Sequence, residues 1–264
     1  MHRDGGGLDN TSARLLDGPE GPLYSLPRMV PEPAETLTTQ DGVALEARVH
    51  MPLSPHGGVV VCHPHPLYGG DMDNPVVVRI AEVCGALDLT TLRFNFRGVG
   101  RSSGAHGVVV RGEPRPGGEP RPGGEPSPSM LENAAEELDV EAGLARLASV
   151  VGADHPVAIV GYSFGAAVAA AVAPRHAELA GVALVAPPLA RIEPGRFAPL
   201  ERFGSRLLVV AGTNDEICPA DALGRLTATL PRATVHLIEG ANHFFFGKLY
   251  PLGEAVSAWA RLLI

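Results

Sequence analysis

The chain has 264 residues, is 45% hydrophobic with a mean hydropathy of +0.11, and carries a formal net charge of −8. That length suits one large α/β domain with a substantial core, and an acidic balance with a single lysine, Lys248, argues against a nucleic-acid surface. The first residues hold no apolar signal-like core and no run reaches about 18 apolar residues, so a cytoplasmic setting without a membrane span is expected.

Residues 1–34 are rich in Gly, Pro and charge without periodicity, which predicts a mobile arm ahead of a domain over 35–264. Residues 36–39 and 43–49 flank Gln40-Asp41-Gly42, an Asp-Gly turn signal that predicts a hairpin. Residues 58–62 are a wholly apolar strand of the parallel-sheet kind. A helix over 73–87 and a strand over 90–96 follow. Residues 111–129 repeat PRPGGE in tandem, a composition that cannot bury a core and predicts a solvated loop insertion.

A helix over 131–150 resumes the fold. Then come a strand at 157–160, a helix at 165–173, strands at 182–186 and 206–211, a helix at 220–229, a strand at 234–238 and a helix at 251–263. Strands alternating with helices predict βαβ crossovers and a mostly parallel sheet covered on both faces. About twenty residues with four prolines join the strands at 182–186 and 206–211, too few for a large lid domain.

Chemistry concentrates where residues 157–160 run into Gly161-Tyr162-Ser163-Phe164-Gly165. Strand, Gly-x-Ser-x-Gly and helix together make a nucleophile elbow, so Ser163 is the candidate nucleophile. A serine needs a base, and the base needs an orienting acid. In an elbow enzyme these follow as Ser, then Asp or Glu, then His, each just past a strand end. Asp215 closes the strand at 206–211, with Glu216 and Asp221 as the nearest substitutes, and His243 closes the strand at 234–238.

The odd cysteines Cys62, Cys84 and Cys218 form no C-x-x-C pair and read as buried free thiols. His63 and His65 near Asp71 and Asp73 could ligate a metal, but no familiar ligand spacing is completed and none is expected. Gly98-Val99-Gly100 follows a strand without opening a helix, so it reads as a glycine-rich turn beside the elbow, with Arg97 and Asn95 bonding loops internally, and not as a dinucleotide fingerprint.

Gly161–Gly165, Asp215 and His243 resemble the triad of the α/β-hydrolase superfamily. CHPHPLYGG from Cys62, RFNFRGVGRSSG from Arg93 and ANHFFF from Ala241 are similar to motifs of small bacterial serine hydrolases, distant relatives of dienelactone hydrolases. Over residues 35–264 the resemblance implies an α/β-hydrolase fold: about eight strands, mostly parallel, helices on both faces and no large lid. It also implies hydrolysis of a small-molecule acyl substrate through an acyl-enzyme, without a cofactor. Two features depart from the group: the insertion at 111–129 is long, and Asp71 stands where a smaller polar residue is usual.

One oxyanion donor is expected at the Phe164 amide, on the helix N-terminus behind the nucleophile. The second belongs to the loop after residues 58–62, where Pro64 and Pro66 have no N–H, leaving His65. Tyr68 and Tyr162 are the candidate substrate-binding side chains. Ester cleavage is the expected reaction, with thioester or lactone chemistry and a silent binding protein as the readings still open, because fold and triad do not choose the leaving group.

Overall fold

A computed structural model describes residues 32–107, 134–192 and 194–264. The expected arm, apart from its last residues, and the repeat insertion at 111–129 lie outside the described residues. The described residues open with a hairpin, β1 (Ala34–Thr38) and β2 (Ala44–His50), turned at Gly42 with φ of 81°. Then follow β3 (Gly57–Cys62), α1 (Pro75–Gly85), β4 (Leu89–Phe94), α2 (Ala134–Val151), β5 (Val157–Tyr162) and α3 (Phe164–Val172). The last third adds β6 (Gly181–Val185), β7 (Arg206–Gly212), α4 (Ala220–Thr229), β8 (Thr234–Ile238) and α5 (Leu249–Ala260).

The eight strands form one sheet in the order β1-β2-β4-β3-β5-β6-β7-β8. The β1–β2 and β2–β4 pairs at one end are antiparallel and the five remaining neighbour pairs are parallel. The order reverses at β3, which sends the chain outward to β4 and then receives β5 on its other side. Ligands of open α/β sheets bind in the crevice beyond the strand ends at such a switch point. In this chain the loops leaving β3 and β5 carry His65 and Ser163.

Two apolar layers sandwich the sheet, as period-two alternation requires. Val60, Cys62 and Ile159 face the layer built with α2 and α3, whereas Val59, Val61, Ala158 and Val160 face α1 and α5. The β-branched run in α1 stays helical because Val76, Val77, Ile80 and Cys84 share its buried face. Asn74 caps that helix by accepting from the Val76 N–H at 3.0 Å, with Pro75 at its first position.

Element boundaries depart from expectation in physically legible ways. The strand predicted over 90–96 ends at Phe94, because the Asn95 N–H donates to the Glu46 carbonyl and the Phe96 N–H to the His63 ring. Helix α3 starts at Phe164 and not at 165, directly after Ser163. Between β6 and β7 lies a 3-10 segment, Pro194–Arg202; no lid domain stands among the described residues. No helix among them is long and apolar enough to cross a membrane.

Candidate active site

The elbow follows from close packing. A Cβ on Gly161 would lie 2.2 Å from the Gly165 carbonyl oxygen, and one on Gly165 would lie 2.4 Å from that of Cys62. Only glycine lets the turn and β3 approach so closely. Ser163 itself sits at φ 54°, ψ −115°, a strained conformation of the kind that clusters at reactive sites. Its N–H donates to the Val185 carbonyl at 2.9 Å, anchoring the turn to β6.

The loops after β7 and β8 bring two more groups to this point. The Ser163 hydroxyl donates to His243 Nε2 at 2.9 Å, and His243 Nδ1–H donates to Asp215, 2.9 Å from Oδ2. Asp215 Oδ1 also accepts from the Ile217 and Cys218 N–H groups at 2.9 and 2.8 Å. All three side chains are buried. The alternatives to Asp215 stay outside: Glu216 is exposed, and Asp221 is exposed and paired with Arg225.

The side-chain rings of His65 and Phe164, the two residues whose amides are the proposed oxyanion donors, lie 4.8 Å apart. Among the described residues, neither backbone N–H donates to a protein acceptor. His65 Nδ1 accepts from the Leu67 N–H at 3.2 Å, which opens the 3-10 turn Pro66–Tyr68. Burial, reinforced by His106, pushes the His65 pKa down to about 4, so its ring is neutral near pH 7. A metal role for His63 has no free nitrogen to use: Nδ1–H donates to the Pro64 carbonyl at 2.6 Å and Nε2 accepts from the Phe96 N–H at 3.0 Å. Burial likewise lowers its pKa to about 4.

Of the two tyrosines expected to touch substrate, Tyr68 is exposed on the loop after β3, its ring 5.0 Å from that of His65. Tyr162 is a correction. Alternation along β5 turns it toward the α1–α5 layer, where it is 1% exposed and its hydroxyl donates to the His243 carbonyl at 3.0 Å. It braces the histidine loop and presents nothing to a substrate.

Sequence reasoning missed Glu136, Asp139 and the part played by His106. Arg97, fully buried, is held by Asp139 of α2 at 2.7 Å and by Asp41 of the hairpin turn at 2.9 Å. Glu136, also buried, lies 2.7 Å from His106. Two acids three apart on the predicted helix over 131–150 were the available signal. All three cysteines are buried free thiols, and burial pushes those of Cys84 and Cys218 up to about 12, so they are not nucleophiles.

Comparison with known proteins agrees with this architecture. Residues 129–249 match the model of an alpha/beta hydrolase domain family. An uncharacterized protein of Rickettsia prowazekii is 30% identical over 224 residues, covering 81% of this chain and 82% of its own length. Among solved structures, an alpha-beta serine hydrolase homologue from Coxiella burnetii is 29% identical with a TM-score of 0.67, covering 86% of this chain and 96% of its own. An α/β serine hydrolase without a lid from Xanthomonas campestris is 27% identical with a TM-score of 0.67, covering 87% and 94%. These likenesses support a hydrolase. The eight-stranded sheet and these relatives together place the chain in the α/β-hydrolase superfamily, to which it belongs.

Proposed function

We propose that this chain is a serine hydrolase that cleaves a carboxylic ester-type bond of a small molecule through an acyl-enzyme. The observation that carries the reading is the unbroken relay from Ser163 Oγ through His243 to Asp215, with contacts of 2.9 Å on either side of the imidazole.

Ser163 Oγ attacks the carbonyl carbon while its proton passes to His243 Nε2. Asp215 holds the ring in the tautomer that can accept that proton and stabilises the imidazolium. The carbonyl oxygen, now an oxyanion, accepts from the Phe164 and His65 N–H groups. Such donors act because they are already aimed when charge develops, and losing one costs about 10²–10³ in turnover. Collapse expels the alcohol, which takes the proton back from His243. Water then yields a proton to His243 and attacks the acyl carbon, releasing the acid and restoring Ser163. Exposed Leu67, Tyr68, Phe244 and Phe246 on the flanking loops suit an apolar substituent on the substrate.

A fluorophosphonate probe tests this directly. Labelling mapped to Ser163, and lost in both Ser163→Ala and His243→Ala, is expected. A folded protein that does not label, or that labels regardless of His243, would overturn the reading.

A further inference from the structure

A cleft of about 440 Å³ opens between the loop after β3 and the glycine-rich loop after β4. Leu67, Gly70 and Asp71 form one wall, and Val99, Gly100 and His106 the other. It adjoins the proposed reacting centre: the His106 ring lies 4.9 Å from that of His65 and 5.5 Å from that of Phe164. A carbonyl held between those two amides therefore has room for one of its substituents alongside.

Among the described residues, no Lys or Arg lines this cleft, and Asp71 does, half-buried. Asp71 Oδ1 accepts from the Asp73 N–H at 2.9 Å, and the carboxylate meets no cation among the described residues. Behind His106 stands Glu136, with no solvent exposure. Its Oε1 accepts from the Gly107 N–H at 2.6 Å and lies 2.7 Å from His106 Nδ1, off the hydrogen-bond axis. Its Oε2 has no hydrogen-bond partner among the described residues. A buried carboxylate oxygen without a partner is costly and rare, and it calls for a donor or a positive charge. Burial alone would raise its carboxyl, yet His106 and the Gly107 N–H hold it below the usual range, so the group is an anion.

Among the described residues, the nearby arginines are engaged elsewhere. Deeper in, the Arg97 guanidinium is shared between Asp41 and Asp139. Neighbouring Arg101 is 87% exposed and lies 3.8 Å from Glu46. The net charge of −8 over the chain adds a general bias toward cations.

We infer that this cleft is a substrate subsite for a cationic group, an alkylammonium or guanidinium carried beside the scissile carbonyl, with Asp71 as its counter-charge. The inference rests on the serine hydrolase reading for the identity of the reacting centre.

The test compares two isosteric pairs: choline esters against their neutral tert-butyl analogues, and aryl esters of trimethylglycine against their neutral carbon analogues. The first places the cation on the alcohol and the second on the acyl group. In at least one pair the cationic ester is expected to show a kcat/KM higher by up to about fivefold, which is the upper end for a partly exposed ion pair. Added salt should shrink that ratio, and Asp71→Asn should bring it to about one. Asp71→Ser serves if the first variant fails to fold by circular dichroism. A ratio of one or less in both pairs, or a ratio indifferent to Asp71, overturns the proposal. Equilibrium titration of Ser163→Ala with the same pairs reads the subsite without turnover. Tighter binding of the cation by a chain that never turns over would keep the subsite and remove the hydrolase; turnover without cation preference would do the reverse.

Discussion

The hydroxyl of Tyr162 donates to the backbone carbonyl of His243 at 3.0 Å, tying the residue before Ser163 to the loop that carries His243. The two lie 81 residues apart in sequence, and the Tyr162 ring is buried between the sheet and the α1–α5 layer. One bond thus helps hold Ser163 and His243 in register.

Tyr162→Phe keeps the packing and leaves a buried carbonyl unpaired, at a cost of about 1–2 kcal/mol. Thermal denaturation should report that loss. Ester kinetics should show a severalfold fall in kcat with little change in KM, because the bond orients the base and touches no substrate.

Asp215→Asn should lower kcat by about 10³–10⁴, since an amide cannot hold the imidazole in the accepting tautomer or stabilise its charged form. Glu216→Gln and Asp221→Asn should leave turnover near wild type, as both side chains are exposed and away from the imidazole. Steady-state kinetics of the three variants side by side decides which acid serves His243.

Gly165→Ala forces a methyl to within 2.4 Å of the Cys62 carbonyl and 2.7 Å of that of His63. Both obstacles are backbone, so relief requires α3 to move away from β3. A loss of about 2–4 kcal/mol is expected, read from urea unfolding, together with failure of a fluorophosphonate to label Ser163.

His63 makes a pH prediction. Burial holds its folded pKa at about 4, below the ordinary 6.5 of the unfolded chain. Above pH 6.5 the ring is neutral in both states and contributes no slope. Between 6.5 and about 4 the unfolded chain binds a proton that the folded chain refuses, so stability falls as the pH is lowered through that window. His63→Gln can still accept from the Phe96 N–H and should flatten the dependence of melting temperature on pH over this range. An unchanged slope would contradict the assignment.

Much of this molecule is legible before any coordinates. Residues 157–165 state the elbow outright, because a β-branched run, spaced glycines and an Ala-rich stretch each have one local conformation they favour. Residues 58–62, apolar throughout, announce a strand buried on both faces, and β3 is that strand. His243 could be ranked above the other histidines by its place just past a strand. Boundaries were less legible: whether β4 stops at Phe94 depends on Glu46 and His63, which are distant in sequence and offer competing acceptors for its backbone.

The sequence by itself determined the alternation of elements, the elbow and the chain order of serine, acid and histidine. Those depend on local sterics and on periodicity, which residues a few places apart can encode. Only the tertiary structure decided that Asp215, and neither Glu216 nor Asp221, meets the imidazole, and that Tyr162 turns into the core. Only it revealed that Glu136 stands buried behind His106, 30 positions away in the chain. These outcomes depend on which face of a strand or helix meets which loop, and that is settled when the two apolar layers close on the sheet.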